Sequence, residues 1–128
     1  LRLASLSDEE HAAWGRLLDV RAAFVAALEP LRRDGVVGTS AQARAEVERT
    51  AALEADLAAV GLDDARFAEL LIVPEVVFTP PAGGTPLPVV SAHAAEGTKC
   101  PRCWQVRRDG DAAGLCARCQ RILAAAAA

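Results

Sequence analysis

The spacing of apolar positions in the first third of the chain predicts one long helix. Ser7 is followed three residues later by Glu10, with acidic residues between them, which is the capping-box pattern of a helix start. From Glu10 to about Arg33, apolar side chains recur at steps of three or four, the period of an amphipathic helix. The predicted stripe contains Trp14, Leu17, Leu18, Arg21, Val25, Leu28 and Leu31.

Two residues near the end of this helix set its expected length. Pro30 has no backbone N–H, so we expect it to kink or end the helix near Glu29. Gly35 tolerates left-handed backbone and is the expected C-cap. We also expect part of the apolar face to be exposed, because helices that would cover it are not in the chain. That face is formed by Trp14, Leu18, Val25 and Leu28.

Further short helices are predicted in the middle of the chain. Ser40, after a Gly-Thr turn, is the expected cap of the first. Gly61 is expected to stop the second, and Asp63 or Asp64 to cap the third. The predicted ranges are 41–44, 51–60 and 65–70.

Strand-like segments lie among these helices. Residues 45–50 fit either a helix or a strand. Their helix propensity favours a helix, whereas the alternation of Ala45, Val47 and Arg49 with Glu46, Glu48 and Thr50 permits a strand. Residues 71–78 are rich in β-branched side chains and predict a strand, and Pro74 indicates an edge or a bulge. Residues 79–87 hold three prolines and two glycines and predict a loop. Residues 88–93 predict another short strand.

All four cysteines lie close together near the C-terminus. Cys100, Cys103, Cys116 and Cys119 form two Cys-x2-Cys pairs separated by twelve residues. Each pair suits a tight turn that aims two sulfurs at one point, and we expect residues 104–108 to pair with 114–116 across an Asp109-Gly110 turn. Four thiolates favour one structural zinc ion with no open position for a catalytic water.

Three other interpretations of the cysteines remain open at this stage. Two disulfides would need an oxidising compartment, and no secretion signal is visible. A redox Cys-x-x-Cys usually stands alone on a thioredoxin-like fold. Iron also accepts four sulfur ligands at this spacing.

The segment around the cysteines is also the basic part of the chain. Residues 94–128 hold six basic and three acidic side chains, whereas the whole chain has a formal charge of −3. Four thiolates around a divalent ion would reduce the local excess of +3 to about +1. Trp104, Arg102, Arg107 and Arg108 are therefore candidates for a nucleic-acid contact, with Trp104 as a stacking platform. The alternative is that Trp104 packs over the metal site and the arginines are merely solvated.

Composition restricts the class of protein. The chain has 128 residues, of which 52% are apolar, and no uncharged apolar stretch is long enough to span a membrane. It begins at Leu1, contains no methionine and shows no signal peptide. We therefore expect a fragment of a larger soluble, cytoplasmic protein.

Two groups of motifs resemble bacterial isoleucyl-tRNA synthetases. The first is Trp14, Leu18-Asp-Val-Arg21, Leu28-Glu29, Arg33 and Val37-Gly-Thr-Ser40, which resembles the end of the anticodon-binding region. The second is Ala95-Glu-Gly-Thr-Lys-Cys-Pro-Arg-Cys-Trp104 followed by Leu115-Cys-Ala-Arg-Cys119, which resembles the C-terminal zinc module of that family.

The resemblance implies an α+β fold with an N-terminal helical segment, a small α/β junction and a C-terminal four-cysteine zinc hairpin module. The implied division is residues 1–38 as the last helix of the anticodon-binding domain and 39–93 as the junction. Residues 94–123 would form the zinc module, and 124–128 a low-complexity tail.

The resemblance also implies a role in recognition. The four cysteines match the zinc ligands of the family, and Arg102 and Trp104 match positions expected to contact the anticodon loop. The implied partners are isoleucine tRNA and the remaining domains of the parent enzyme, which would join isoleucine to tRNA with ATP. Class I signatures of the His-x-Gly-His and Lys-Met-Ser-Lys-Ser type are missing from this chain, so we expect no catalysis by the segment itself.

Two other functions compete with tRNA binding. A zinc ribbon that binds protein would agree with the acidic first 93 residues. A related zinc finger occurs in formamidopyrimidine-type DNA glycosylases, whose catalytic N-terminal proline and glutamate do not match Leu1-Arg2.

Overall fold

The computed structural model describes residues 5–81 and 88–127. It is mixed α+β, as the sequence predicts, and the described residues form four α-helices and two small sheets. The helices are α1 (Asp8–Arg33), α2 (Ala51–Val60), α3 (Asp64–Leu71) and α4 (Ala117–Ala127). The strands are β1 (Ala43–Glu48), β2 (Glu75–Thr79), β3 (Val90–Ala94), β4 (Thr98–Lys99) and β5 (Val106–Arg107).

The predicted capping box starts α1. The Ser7 hydroxyl accepts a hydrogen bond from the Glu10 backbone N–H at 3.1 Å, and the Glu10 carboxylate accepts one from the Ser7 N–H at 3.1 Å. Two of the orphan N–H groups of the first turn are thereby satisfied.

The buried face of α1 differs from the predicted stripe. Leu17 and Leu28 are buried, whereas Leu18 and Val25 are 49% and 52% exposed, in agreement with the expectation that part of this apolar face is uncovered. The predicted stripe left out Phe24, which is fully buried and points into the core. The residues that point into the core follow steps of three and four: Ala13, Leu17, Val20, Phe24 and Leu28.

Pro30 does not end the helix. The chain stays helical to Arg33, and Gly35 takes the expected left-handed conformation with φ +75° one residue after the Asp34 cap. Leu28 is buried before Pro30 and Leu31 packs against the core after it. We attribute the continuation to this packing on both sides, which offsets the local cost of proline, about 3 kcal/mol.

Between residues 40 and 81, the structure agrees with most of the predicted helices and strands. Helix α2 has the predicted bounds and ends at Gly61, and Asp63 caps α3 by accepting from the Arg66 N–H at 2.8 Å. The helix expected over 41–44 is wrong, since a 3-10 turn over Ser40–Gln42 leads directly into β1. The ambiguous segment 45–50 is mostly strand. Within the loop expected over 79–87, residues 82–87 lie outside the described part of the chain.

β1 is the centre of a three-stranded sheet with the order β2-β1-β3. It runs parallel to β2, with Val47 opposite Phe78, and antiparallel to β3, with Val47 opposite Val90. Ala43, Ala45 and Val47 are buried on one face of β1, where they join the core under α1. β2 is an edge strand, which agrees with the position of Pro74 just before it.

The predicted hairpin of the cysteine segment is wrong. β5 pairs antiparallel with β4, with Thr98 opposite Arg107 and Lys99 opposite Val106. Residues 114–116 are not its partner. The first cysteine pair lies in the turn between β4 and β5, and the second leads into α4, whose helix includes the alanines through Ala127. No helix in the described residues is long and apolar enough to cross a membrane.

Candidate metal centre and its basic surroundings

The first cysteine pair lies in a tight turn that is closed by backbone hydrogen bonds. The Cys100 N–H donates to the Gln105 carbonyl at 2.8 Å, and the Trp104 N–H donates to the Cys100 carbonyl at 2.8 Å. These two bonds continue the β4–β5 ladder across the turn and hold Cys100 and Cys103 on its inner side.

The second cysteine pair is positioned by the chain between Asp111 and α4. The Asp111 carboxylate accepts from the N–H groups of Ala113 and Leu115 at 2.9 and 3.0 Å, and its own N–H donates to the Leu115 carbonyl at 2.9 Å. Gln120 on α4 also donates to the Leu115 carbonyl, at 2.6 Å. Cys116 therefore lies just before the helix and Cys119 in its first turn.

The two turns bring the four sulfurs together, all within 4.8 Å of one another. The Sγ atoms of Cys103 and Cys116 are 3.7 Å apart, too far for a disulfide bond of about 2.05 Å. A tetrahedral ion with bonds of about 2.3 Å would place its sulfur ligands about 3.8 Å apart. Cys100, Cys116 and Cys119 are buried. The donor set and spacing therefore fit a metal ion with four sulfur ligands.

The electrostatic surroundings of the thiols differ. The backbone N–H of Cys103 donates to the Cys100 sulfur and lowers the pKa of that thiol to about 6. Burial raises the pKa of the Cys103 thiol to about 12. The Arg102 guanidinium donates to the Cys119 sulfur at 3.5 Å, and this bond raises the pKa of Arg102. One thiolate is thus favoured without metal, and a neighbouring cation offsets part of the cluster's negative charge.

Trp104 does not pack over the metal site. Its side chain is 65% exposed, and the cluster of buried sulfurs packs against Leu115 instead. Trp104 has a φ of +66°, in the left-handed region that side-chain-bearing residues rarely adopt. The Lys99 ammonium lies 5.6 Å from the centre of its ring, within cation–π range. An exposed aromatic ring with a cation beside it can stack on a flat, electron-rich group.

Comparison with known proteins gives the context of this site. No protein-family model matches the chain. An isoleucine–tRNA ligase of Neisseria meningitidis serogroup C (strain 053442) is 41% identical over 110 residues, which is 83% of this chain and 11% of that enzyme. One from Nitratidesulfovibrio vulgaris (strain Hildenborough) is 36% identical over 129 aligned residues, covering 93% of this chain and 14% of that enzyme.

The chain is a homologue of one segment of isoleucine–tRNA ligases. It spans about a tenth of the length of the relatives that it matches, 11–14%. The resemblance inferred from its motifs is therefore confirmed, and a four-cysteine site that could hold a metal ion lies within this chain.

Two of the arginines singled out from the sequence form ion pairs with carboxylates. Arg107 pairs with Asp109 at 3.3 Å, and both residues lie within the cysteine module, residues 94–123. Arg108 pairs with Glu75 at the start of β2 at 3.5 Å and with Glu96 at 3.1 Å. Arg108 therefore also links the cysteine module to the three-stranded sheet.

Sequence reasoning missed Lys99 as part of this surface. Its ammonium lies beside Trp104 because the turn between β4 and β5 reverses the chain, which brings residues 99 and 104 together. The available signal was a lone lysine next to Cys100 in a segment that also holds an aromatic residue.

Proposed function

We propose that the chain is the tRNA-binding C-terminal part of an isoleucine–tRNA ligase that works in the cytoplasm. In this proposal its cysteine module contacts the anticodon side of isoleucine tRNA and supports aminoacylation by the parent enzyme, which supplies the ATP-dependent chemistry. The observation that carries the proposal is Trp104, 65% exposed, with left-handed backbone in the turn that holds Cys100 and Cys103, and with the Lys99 ammonium beside its ring.

The proposed metal is one structural zinc ion held by Cys100, Cys103, Cys116 and Cys119. Zinc accepts four thiolates tetrahedrally, and the spacing of the sulfurs is compatible with that geometry. The ion would fix both turns and hold the segment between them, where few apolar side chains are buried. Four protein ligands leave no position for a reactive water, so the role is structural.

The proposed RNA contacts divide into stacking and phosphate binding. Trp104 would stack on an unpaired base of the anticodon loop, since such bases are splayed out and accessible. Arg102, Arg107 and Arg108 would approach phosphate oxygens, which supply affinity without reading sequence. Arg107 and Arg108 would exchange carboxylate partners for phosphates as RNA binds, so we expect each to contribute less than Trp104.

The proposed domain division follows the sequence prediction. Residues 1–38 would end the anticodon-binding domain, 39–93 would form the junction, and 94–123 the zinc module, with 124–128 as a tail. α1 and the junction share one apolar core, in which Phe24 of α1 and Phe67 of α3 are both fully buried. The junction would therefore extend the core of the domain before it.

The two tryptophans provide a direct test of stacking. In a Trp14→Phe variant, Trp104 is the one remaining indole, so its fluorescence reports on contact with RNA. We expect isoleucine tRNA to quench this signal more strongly than a non-cognate tRNA or duplex DNA does. Trp104→Ala should weaken tRNA binding about 5- to 150-fold, the range for loss of one stacked base.

The metal content of each variant is the control. Trp104→Ala should retain one ion per chain, because its side chain does not pack in the buried sulfur cluster. Loss of the ion in this variant, or unchanged tRNA affinity with the ion bound, would contradict the proposed contact. Preference for duplex DNA would favour the glycosylase-type zinc finger instead.

A protein contact is the second candidate function, favoured by exposed apolar side chains away from the cysteines. Val25 and Ile72 are 52% and 53% exposed and line a groove of about 300 Å³ between α1 and the end of α3. The remaining domains of the parent ligase are the proposed occupant. A chain that binds neither tRNA nor DNA while holding its metal would favour this role for the module as well.

A further inference from the structure

A cleft of about 610 Å³ separates helix α3 from the cysteine module. Its α3 side ends at Pro74, before β2, and its module side carries three guanidinium groups, those of Arg107, Arg118 and Arg121. Glu69 is the one carboxylate among the lining residues that the structure describes. The cleft therefore has an excess of positive charge at its walls.

Two of these arginines differ from those near Trp104 in having no carboxylate partner. Within residues 5–81 and 88–127, no ion pair or hydrogen bond involves the side chain of Arg118 or of Arg121. Arg107 and Arg108, in contrast, are paired with Asp109, Glu75 and Glu96. Among the three arginines that line the cleft, the two with most capacity for an external anion are thus on α4.

The thiol cluster fixes where these two side chains begin. Arg118 lies between Cys116 and Cys119, in the first turn of α4, and Arg121 follows three residues later on the same face of the helix. Binding of an ion by the two cysteines would hold this turn rigid. Two like charges at this spacing repel each other weakly, and an anion between them would relieve that repulsion.

We propose that this α3–α4 cleft binds the phosphate backbone of RNA, with Arg118 and Arg121 as its principal ligands. The inference rests on the proposed tRNA-binding function and adds a second contact surface to it. Guanidinium groups bind phosphate oxygens in pairs of parallel hydrogen bonds, and a concave site holds a backbone better than a flat one. Gln105, directly after Trp104, lines the same cleft, so a strand passing Trp104 can continue into it.

The test compares variants of the whole chain with equal loss of charge. Arg121→Ala removes one unpaired cation from the cleft, and Arg66→Ala removes one exposed cation of α3 that does not line the cleft. Affinity for isoleucine tRNA is measured over a range of salt concentrations. Arg121→Ala should bind about threefold more weakly, with a slope of log affinity against log salt that falls by about 0.7–0.9. The cleft variant Arg118→Ala/Arg121→Ala should bind about tenfold more weakly, with a slope that falls by about 1.4–1.8, whereas Arg66→Ala should stay within about twofold of the parent chain.

A substitution that is expected to strengthen tRNA binding provides a second test, because misfolding could explain weaker binding but not tighter binding. Glu69→Gln removes the cleft's carboxylate without shortening the side chain and should tighten tRNA binding about two- to threefold, because it removes a repulsion. Glu54→Gln on α2 is the control and should have no effect on tRNA binding, since this carboxylate is 58% exposed and does not line the cleft.

The outcomes separate this inference from the function on which it rests. If Trp104→Ala weakens tRNA binding while the cleft variant matches Arg66→Ala, the cleft is not a backbone site and the proposed function stands. If the metal-loaded parent chain does not bind tRNA, both proposals are overturned. If Arg118→Ala/Arg121→Ala loses its metal, Arg118→Gln/Arg121→Gln replaces it, because glutamine removes the charge and keeps a polar side chain. Unchanged affinity in both the glutamine double variant and Glu69→Gln would overturn the cleft proposal.

Discussion

Residues 8–81 and 88–94 bury Leu17, Phe24 and Phe67 in an apolar core, whereas residues 98–120 bury little besides three of their own cysteines. The first region gains its stability from apolar area removed from water, with two helices and a sheet closing around α1. The second has two strands of two residues each and a few hydrogen bonds, too little to order it alone. The difference teaches that one small chain can combine an apolar core with a region organised around four cysteines, and that the proposed ion would be needed for only the second.

Metal removal should give the largest difference between the regions. Structural zinc contributes about 10–16 kcal/mol in small zinc-dependent modules at neutral pH, so chelation should unfold residues 98–120. Hydrogen exchange followed by mass spectrometry should show loss of protection there, with α1 and β1 still protected. Persistent protection of β4 and β5 without metal would mean that the module folds through its own contacts.

The next largest effect should come from Phe24, and its neighbour Val25 is the matched control. Phe24→Ala opens a cavity at a fully buried position and should cost about 3–5 kcal/mol of unfolding free energy. Val25→Ala, at a position 52% exposed, should cost less than about 0.5 kcal/mol.

Denaturant titration measures both changes, and metal content should stay at one ion per chain in each variant. Equal costs at the two positions would mean that α1 is rotated relative to the structure described above. Loss of metal from Phe24→Ala would mean that the two regions are coupled.

Two glycines should respond to alanine with opposite signs. Gly97 has φ +126°, and a Cβ there would collide with the backbone carbonyl of Arg107, so Gly97→Ala should break the β4–β5 pairing at a cost of about 1–3 kcal/mol. Gly15, inside α1, has open space around its Cα, and Gly15→Ala should stabilise the helix by about 0.5–1 kcal/mol.

The effect of Gly97→Ala is measured by metal affinity, and the effect of Gly15→Ala by thermal unfolding. Gly97→Ala should weaken metal binding and leave the exchange of α1 amides unchanged. Undiminished metal affinity in Gly97→Ala would show that the strand pairing does not support the thiol site.

The smallest expected effect is the loss, at low pH, of the stability that the Ser7–Glu10 capping box gives to α1. Hydrogen bonds from Ser7 lower the pKa of Glu10, so its carboxylate stabilises the helix above the unfolded pKa of about 4.3. This contribution should be lost as pH falls through the lower, folded pKa. The stability difference between the parent chain and Glu10→Gln should therefore be present at pH 6 and vanish in strong acid, as measured by urea titration. A difference that is independent of pH would show that the carboxylate charge is not involved.

Several elements follow from short stretches of sequence, because local chemistry is sufficient to determine them. Ser7 with Glu10, Thr50 before α2, Gly61 after it and Asp63 before α3 are caps that act within four residues. The assembly of the four cysteines is also local in this sense, since two tight turns and a short connection bring them together. The resemblance to isoleucine–tRNA ligases rests partly on this cysteine segment and partly on short motifs between Trp14 and Ser40.

What only the tertiary structure decided concerns contacts between distant segments. Phe24 and Val25 are both apolar, and only the position of the sheet decides which one faces inward. Segment 45–50 becomes strand largely because β2 and β3 offer it partners on both sides, and Pro30 stays within α1 because packing on either side outweighs its cost. The pairing of β5 with β4, and the cleft that leaves Arg118 and Arg121 without carboxylate partners, likewise depend on groups brought together by folding, a placement that no local pattern encodes.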